Sequence, residues 1–327
     1  QPRLERAMDR HSILIILSDE QRYDTLGCTG NPAAQTPHVD ELAEGGALFD
    51  RCYTPFPLCC PARASLWTSR MARSHHVIGN WRAIRPEYRD DGLIHDFARG
   101  GYHTLYSGKW HVPGTTPRRM GFADSSAIPA VLDGLDRGRY IEEYRAYAAA
   151  QGYELVPKMI ENLTPRDLAR LRRPGKAPCG TAEIALEHYI ETWQTGQLLQ
   201  TLARRPEDQP FFAVVSYSAP HFPMIVPEPY DRLVRPEDLV LSPNFLAPVD
   251  GKPREVAECH YRTDYAALDE AEWRRLMAHY YGFCSRVDTQ VGKIVDALRR
   301  QGELDRTILV YASDHGDMMG SHGMFQK

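Results

Sequence analysis

Four short runs of apolar residues constrain the fold of this chain more than any other feature of its sequence. They occupy residues 12–18, 104–107, 211–217 and 307–312, and segments with helical features lie between them. The apolar residues in each run are continuous rather than alternating, which is typical of parallel strands buried on both faces of a sheet. Strands and helices in alternation predict an α/β sandwich with a mainly parallel central sheet flanked by helices.

Three segments predict helices between these strands. Thr36 followed by Pro37 is a typical helix start, and we expect this helix to run to about residues 45–46. Residues 181–205 predict a helix directly before the third strand. Residues 272–300 repeat apolar side chains along one stripe before Gly302, so they predict a long amphipathic helix.

The size and composition of the chain suit one large domain. It has 327 residues, of which 43% are hydrophobic and 25% are charged, enough to bury a substantial core. We therefore expect a single domain over residues 1–327. The stretch at about 123–180 has the features of an insertion with helices of its own, and such segments often shape substrate pockets.

Charge, hydropathy and cysteine spacing narrow the class of protein and its compartment. The formal net charge of −4 argues against a protein that coats nucleic acid. The longest apolar runs are too short to span a bilayer, so no transmembrane helix is expected. The seven cysteines include no C-x-x-C pair, which favours free thiols and a cytoplasmic location. Periplasmic or secreted locations stay open if a signal segment preceded Gln1.

Reactive side chains follow each of the four predicted strands. A single Asp in such a place is more often a turn former, and a single His is more often structural. Four strands that all end this way indicate a site, because ligands bind at the carboxyl ends of parallel strands. Carboxylates grouped with a His favour a divalent cation. In strand order, the residues are Asp19 and Glu20, Lys109 and His111, His221, and Asp314 and His315.

A fifth candidate part of this site is the segment that contains the adjacent cysteines Cys59 and Cys60. Pro61 predicts the first turn of a helix, which would put Cys59 just before a helix N-terminus, where backbone N–H groups favour an anion. Arg63 lies one turn further along. The segment alone is equally compatible with a buried cysteine pair beside a helix cap.

These motifs together resemble the type I, formylglycine-dependent sulfatases of the alkaline phosphatase superfamily, in particular bacterial sulfatases and phosphonate monoester hydrolases. The family signature C-x-P-x-R matches Cys59, Pro61 and Arg63, with Thr68-Ser69-Arg70 after it. The motifs cover almost the whole chain in the family's order, so the resemblance implies an alkaline-phosphatase-like sandwich that forms a sulfatase catalytic domain. The other matching segments are residues 13–30, 36–49, 108–111, 219–223 and 313–327.

The resemblance also implies roles for individual residues. Cys59 matches the cysteine that is oxidised to formylglycine, whose hydrated aldehyde is the nucleophile, and Arg63 matches the residue that holds this hydrate. Asn80 matches an asparagine that contacts substrate in the phosphonate monoester hydrolase branch. The remaining implied catalytic residues are Lys109, His111, His221 and Lys327. The implied metal ligands are Asp19, Glu20, Asp314 and His315, with Glu20 standing where many members have a second Asp.

The implied reaction is hydrolysis of a small anionic sulfate ester with one divalent metal ion, Ca²⁺ being favoured over Mn²⁺ or Mg²⁺. Cationic groups would offset the charge of the ester. His111 would deprotonate the second hydroxyl of the hydrate, and His221 or Lys327 would protonate the departing oxygen. A formylglycine-generating enzyme is the implied maturation partner, and a homo-oligomer is compatible with the family.

Two other functions stay open at this level. The same site could hydrolyse phosphonate monoesters or phosphodiesters, and a non-catalytic member of the fold could bind an anion or a partner. The chain also stops on Lys327 without the smaller C-terminal subdomain that the family carries. We therefore expect an incomplete sulfatase whose closing subdomain is missing.

Overall fold

The computed structural model describes residues 10–128, 139–156, 163–171 and 175–327. Its strands are β1 Ser12–Ser18, β2 His103–Lys109, β3 Asp124–Ile128, β4 Cys179–Thr181, β5 Phe211–Ser216, β6 Met224–Val226 and β7 Thr307–Ser313. Its α-helices are α1 Pro37–Glu44, α2 Cys59–Thr68, α3 Ala72–His75, α4 Leu93–Arg99, α5 Arg139–Ala150, α6 Pro165–Leu171, α7 Ile190–Ala203, α8 Arg254–Glu258, α9 His260–Thr263 and α10 Glu270–Arg300. Short 3₁₀ turns occupy Tyr23–Thr25, Gly27–Thr29, Pro86–Tyr88, Leu186–His188, Tyr230–Arg232, Pro236–Asp238 and Leu304–Arg306.

The central sheet confirms the predicted α/β architecture. Within the described ranges it has five strands in the order β3-β2-β5-β1-β7, and every neighbouring pair is parallel. The four strands predicted from apolar runs differ from the observed ones by two residues or fewer at each end. β1 lies between β5 and β7, with Ile15 opposite Val214 on one side and Val310 on the other.

Apolar layers cover both faces of the sheet, which explains why the strands have continuous rather than alternating apolar residues. On one face, Leu14 and Ile16 belong to a buried cluster with side chains of α7 and α10. On the other face, Leu17 and Val214 belong to a second cluster that includes Trp67 of α2. The predicted sandwich is therefore confirmed, and α2 lies on one face of it.

One predicted helix is wrong in about its first third. The expected helix over 181–205 is instead the short strand β4, a 3₁₀ turn and then α7, which begins at Ile190. β4 pairs in parallel with β6, and Ile184 and Tyr189 are buried between the strand and the helix. Backbone pairing and burial of these side chains outweigh the helical preference of the local sequence.

The predicted insertion at about 123–180 begins with residues that belong to the central sheet, because β3 pairs with β2 at the sheet edge. Two helices, α5 and α6, follow within the same stretch. Residues 129–138, 157–162 and 172–174 lie outside the described residues. The proposed role of this stretch in shaping a substrate pocket stays a prediction.

The described helices and cysteines bear on two further expectations. No helix in the described ranges combines the length and the apolar content that crossing a membrane requires. All seven cysteines are described and are free thiols, including the adjacent pair Cys59 and Cys60. The prediction of thiols rather than a disulfide framework is therefore confirmed.

Two glycines give a matched test of this packing. Gly108 of β2 has a φ of +102°, and an added Cβ would lie 2.0 Å from the Ser216 carbonyl oxygen of β5. Gly196 lies inside α7, and an added Cβ there would meet nothing within 4 Å. We expect Gly108→Ala to lower the free energy of unfolding by ~3 kcal/mol and Gly196→Ala to raise it by about 0.5–1 kcal/mol.

Urea unfolding monitored by circular dichroism measures both changes in the free energy of unfolding. A Gly108→Ala protein as stable as the wild type would contradict the close approach of β2 and β5. The Gly196→Ala protein controls for the general effect of replacing glycine with alanine.

Candidate active site

The carboxyl ends of four strands meet the N-terminus of α2 in one buried cluster. Asp19 follows β1, Lys109 ends β2, Ser216 ends β5 and Asp314 follows β7. The side chains of Asp19 and Asp314 are at most 1% exposed, and that of Lys109 is 6% exposed. The sequence prediction that these strand ends converge is therefore confirmed.

Cys59 is the first residue of α2 rather than the residue before the helix, because Pro61 is accommodated inside the first turn. The thiol is fully buried. Its Sγ lies 3.2 Å from His315 Nε2 and 3.7 Å from Asp19 Oδ1. Residue 59 therefore lies among the predicted metal ligands and close to the positive end of the helix.

Asn80 holds the start of this helix from outside it, through a contact with Cys60. Asn80 Oδ1 accepts a hydrogen bond of 3.1 Å from the backbone N–H of Cys60, which an α-helix leaves without an internal partner. Burial raises the pKa of the Cys60 thiol far above its usual range, so this thiol is inert. The structure thus gives Asn80 a capping contact, while its contact with substrate stays a prediction.

Arg63 is fully buried and connects all four strand ends. Its Nε donates to Asp314 Oδ2 and its Nη2 to Asp19 Oδ2, both at 2.8 Å. Its Nη1 donates to the Lys109 carbonyl at 2.7 Å and to Ser216 Oγ at 2.8 Å. Four of the five guanidinium hydrogens are therefore used within the protein, and one Nη2 hydrogen is left for a ligand.

Lys109 lies against the same carboxylate. Its Nζ is 2.5 Å from Asp19 Oδ2. Burial alone would raise the pKa of Asp19, but Lys109 and Arg63 hold that pKa well below its usual range. Asp19 is therefore ionised, as a ligand for a cation has to be.

Glu20 lies beside the Arg63 cluster and contacts a separate pair of side chains, Lys327 and His221. Its Oε2 lies 2.7 Å from Lys327 Nζ and 3.3 Å from His221 Nε2. Its Oε1 is buried without a hydrogen-bond partner. Tyr280 of α10 donates its hydroxyl hydrogen to the Glu20 backbone carbonyl and holds this residue, whose φ is +68°.

The two predicted catalytic histidines are both neutral. Burial, reinforced by Lys109, lowers the pKa of His111 and of His221 well below the usual range. His221 Nδ1 lies 2.6 Å from the Phe222 carbonyl oxygen, so Nδ1 carries the hydrogen and Nε2 presents a lone pair. His111 Nδ1 is buried without a hydrogen-bond partner in the structure.

Among the residues that the structure describes, two overlapping groups of side chains fit a metal ion. One ligand atom from each member of a group lies within 4.8 Å of the others. The orphaned Oε1 of Glu20 is a further oxygen that lacks a partner inside the protein. Carboxylate oxygens with one imidazole suit a divalent cation. The groups are Asp19, Cys59, Asp314 and His315, and Asp19, Glu20 and His221.

The structure brings all eleven sequence-predicted site residues to the same end of the sheet or to the helix beside it. Sequence reasoning missed Ser216 and Tyr280, which hold Arg63 and Glu20. Ser216 ends a strand and could have been found from its position. No local pattern in α10 distinguishes Tyr280, because its partner lies 260 positions away.

Comparison with known proteins agrees with this geometry. A sequence profile of the family described as "Sulfatase" matches residues 11–327. This chain belongs to the sulfatase family. The family predicted from the motifs is therefore confirmed.

Individual relatives support the same assignment. An arylsulfatase of Clostridium perfringens is 29% identical over 324 residues, which cover 97% of this chain and 65% of that protein. An ulvan-active sulfatase of Formosa agariphila is 28% identical over 320 residues, with 97% of this chain and 53% of that protein covered. This sulfatase-family chain thus spans between about half and two thirds of the length of these relatives.

The fold agrees with solved structures of the superfamily. The crystal structure of the phosphonate monoester hydrolase of Agrobacterium radiobacter matches with a TM-score of 0.77 at 25% identity. The match covers 97% of this chain and 65% of that one. The α/β sandwich with its mainly parallel sheet is therefore the sulfatase fold.

His75 supports the helix that places Cys59 in this sulfatase site. It is fully buried, and the Val77 backbone N–H donates to its Nδ1 at 3.1 Å. Nε2 therefore carries the hydrogen and donates it to Ser65 Oγ of α2 at 2.9 Å. Burial lowers the pKa of His75 to about 4.

This histidine predicts a specific loss of stability in acid. Unfolded His75 binds a proton below its ordinary pKa of about 6.5, whereas the folded protein binds it only near 4. The free energy of unfolding should therefore fall as the pH decreases from 6.5 to 4, by up to about 3 kcal/mol from this residue. Urea unfolding at several pH values measures the slope.

The matched variants are His75→Gln and His11→Gln, since His11 is exposed. His75→Gln should flatten the pH dependence in this window, and His11→Gln should leave it unchanged. Equal slopes in the wild type and in His75→Gln would contradict a neutral, buried His75.

Proposed function

We propose that the chain hydrolyses sulfate esters with a nucleophile derived from Cys59 by oxidation to formylglycine. The observation that carries the proposal is the position of residue 59 at the start of α2. There its Sγ lies within 3.7 Å of both Asp19 and His315 and among the cationic groups Arg63 and Lys109. The hydrated aldehyde would supply one hydroxyl for attack and a second for release of sulfate.

We propose that Asp19, Asp314 and His315 hold one divalent metal ion together with residue 59, and that Ca²⁺ is its natural identity. The ion would supply positive charge next to the ester oxygens. Glu20 could add one further ligand atom. Its Oε2 pairs with Lys327, whereas its Oε1 has no hydrogen-bond partner and is free for a cation. The predominance of oxygen ligands supports Ca²⁺.

Arg63 and Lys109 would hold the anionic group from the protein side. The last free Nη2 hydrogen of Arg63 and the ammonium of Lys109 are available for this, since both groups pair with Asp19, whose other oxygen lies 3.7 Å from Cys59 Sγ. Because both cations are buried, their attraction for a sulfate oxygen is stronger than it would be in water. This supports binding of a tetrahedral anion with its central atom facing residue 59.

The protonation state of each residue decides which proton transfer it can carry out. Neutral His111 would accept the proton of the hydrate, as the depressed pKa allows. His221 uses its only hydrogen on the Phe222 carbonyl, so its Nε2 has no hydrogen to give to the leaving oxygen. Lys327, held by Glu20, is the better proton donor to that oxygen. We therefore assign the acid role to Lys327 rather than to His221.

Phosphonate monoester hydrolysis is the second candidate. It is favoured by the match to the phosphonate monoester hydrolase structure at a TM-score of 0.77. The sulfate ester stays the main proposal, because the family profile and the curated relatives named above are sulfatases.

A comparison of two aryl esters tests these proposals. We expect 4-nitrophenyl sulfate to be turned over with a higher kcat/KM than phenylphosphonate 4-nitrophenyl ester. Cys59→Ala should lower kcat at least about a thousandfold, since the nucleophile is lost. Cys60→Ala is the matched control and should retain most of the activity.

Mass spectrometry of the peptide that contains residue 59 checks the modification directly, because formylglycine replaces sulfur with oxygen and removes two hydrogens. An unmodified peptide with full turnover, or full activity in Cys59→Ala, would refute the nucleophile. Absence of turnover with both esters would favour a non-catalytic member of the family.

Metal binding gives an independent prediction. Ca²⁺ at a hundred times its Kd should stabilise the wild-type fold by about 2.7 kcal/mol, visible as a rise in Tm. Asp314→Asn should abolish this rise, because it removes a ligand charge, whereas Asp305→Asn on the exposed surface should leave it intact. Parallel titrations with Mn²⁺ and Mg²⁺ identify the preferred ion.

We propose a formylglycine-generating enzyme as the maturation partner and a small anionic ester as the substrate. The seven free thiols support a reducing, cytoplasmic location as a proposal. Expression with and without a formylglycine-generating enzyme, followed by the same peptide analysis, tests the partner.

A further inference from the structure

A cavity of about 90 Å³ adjoins the catalytic side chains, and we call it the α7 pocket. Lys109, His111 and His221 form part of its wall, so it communicates with the position where the ester would be bound. The rest comes from α7 and the residue before it, from α10, from the segment after β5, and from Leu163 just before α6. None of the roles proposed above uses this space.

The wall away from the catalytic residues is mainly apolar. It includes Leu163, Tyr189, Phe222 and Phe283, of which Leu163, Tyr189 and Phe283 are at most 5% exposed. A surface of this kind binds carbon chains rather than charged groups. The sulfate end of a substrate would therefore face Lys109, and the organic end would face the aromatic side chains.

One carboxylate interrupts the apolar wall. Glu191, in the first turn of α7, lines the pocket and is 2% exposed. Its Oε2 makes no hydrogen bond and lies 3.7 Å from Arg286 Nη2 of α10. Arg286 gives its nearest hydrogen bond to Thr192 Oγ1 instead, at 2.9 Å. The pair neutralises its charge, yet leaves an acceptor oxygen unused.

An unused buried acceptor is costly, and a bound donor would offset that cost. Ser218 Oγ, also on the pocket wall, is a second buried polar atom without a partner. With His111 Nδ1, the lining has three unpartnered polar atoms, and a few such atoms beside an apolar wall are typical of a site that orients a ligand with few polar contacts.

The volume of the α7 pocket limits the size of the group that it can hold. An engineered cavity of about 150 Å³ in another protein holds one benzene molecule, whereas this pocket has about 90 Å³. A short, unbranched chain fills this volume, and a larger group such as an aromatic ring extends beyond it through the open side of the pocket.

We propose that the α7 pocket receives the organic group of the substrate ester, and that Glu191 selects a short chain ending in a hydrogen-bond donor, a hydroxyl or an ammonium. This inference rests on the proposed ester hydrolysis, because it assigns the organic half of the same substrate. The oxygen bonded to sulfur lies near Lys327 and His221, and the chain runs from it past Phe222 toward Glu191.

Binding to the Ca²⁺-loaded Cys59→Ala protein tests the pocket separately from turnover. The probes are 3-hydroxypropyl sulfate and n-butyl sulfate, which have the same number of non-hydrogen atoms and differ in the terminal donor. Isothermal titration calorimetry should give the hydroxyl compound at least a tenfold lower Kd, since its analogue leaves Glu191 unpaired. Equal affinities would overturn the proposal and indicate a cavity filled by water alone.

The decisive variant replaces the buried pair together, Glu191→Leu with Arg286→Met, because an apolar substitution of both partners is often tolerated. In this double variant, the Kd values of the two alkyl sulfates should be about equal instead of differing tenfold. Glu187→Gln, at an exposed position one turn before, is the matched control and should keep the preference. A preference that survives the double substitution would overturn the role of Glu191.

A second variant keeps the test informative if the double variant does not fold. Phe283→Trp narrows the pocket and should weaken both alkyl sulfates at least fivefold more than inorganic sulfate, which has no organic group. Equal weakening of all three would overturn the pocket assignment. A preserved binding preference in a wild-type protein that hydrolyses neither aryl ester would refute the proposed hydrolysis while supporting the pocket.

Discussion

The buried guanidinium of Arg63 is the interaction on which the rest of the site depends. Through one side chain, α2 is attached to residues at the ends of β1, β2, β5 and β7. A buried cation is costly unless it is paired and hydrogen-bonded, and here two carboxylates and two further oxygens meet that requirement. The contacts fix the helix N-terminus relative to the sheet, so the position of Cys59 follows from the same interaction.

Arg63 also determines which groups remain available to a ligand. Asp19 and Asp314 each give one oxygen to the guanidinium and keep the other toward Cys59 and His315. The arginine therefore orients the two carboxylates and leaves the second oxygen of each without a guanidinium contact. That oxygen of Asp314 also accepts the backbone N–H groups of Glu20 and His315. Because these oxygens lie close to residue 59, a cation bound to them would offset their negative charge next to an anionic group at that position.

Much of this arrangement was predictable because it depends on local patterns. Continuous apolar runs gave the four long strands, and polar residues at their ends gave Asp19 and Asp314. β3, β4 and β6 were missed, because they have five residues or fewer and only pairing with a neighbour defines them. The contact between Arg63 and Ser216, and the position of Glu191 beside the catalytic histidines, depend on packing between elements far apart in sequence, which no local pattern encodes.

The pairing of β1 with β7 has a consequence for biosynthesis. Asp19 and Asp314 are separated by almost the whole described chain, so the ribosome makes the first long before the second. Until β7 is added beside β1, Arg63 has only part of its partners and His315 is not yet next to Cys59. The thiol that is fully buried in the finished fold is therefore uncovered during synthesis. That interval, rather than the completed protein, is when an oxidising enzyme could reach it.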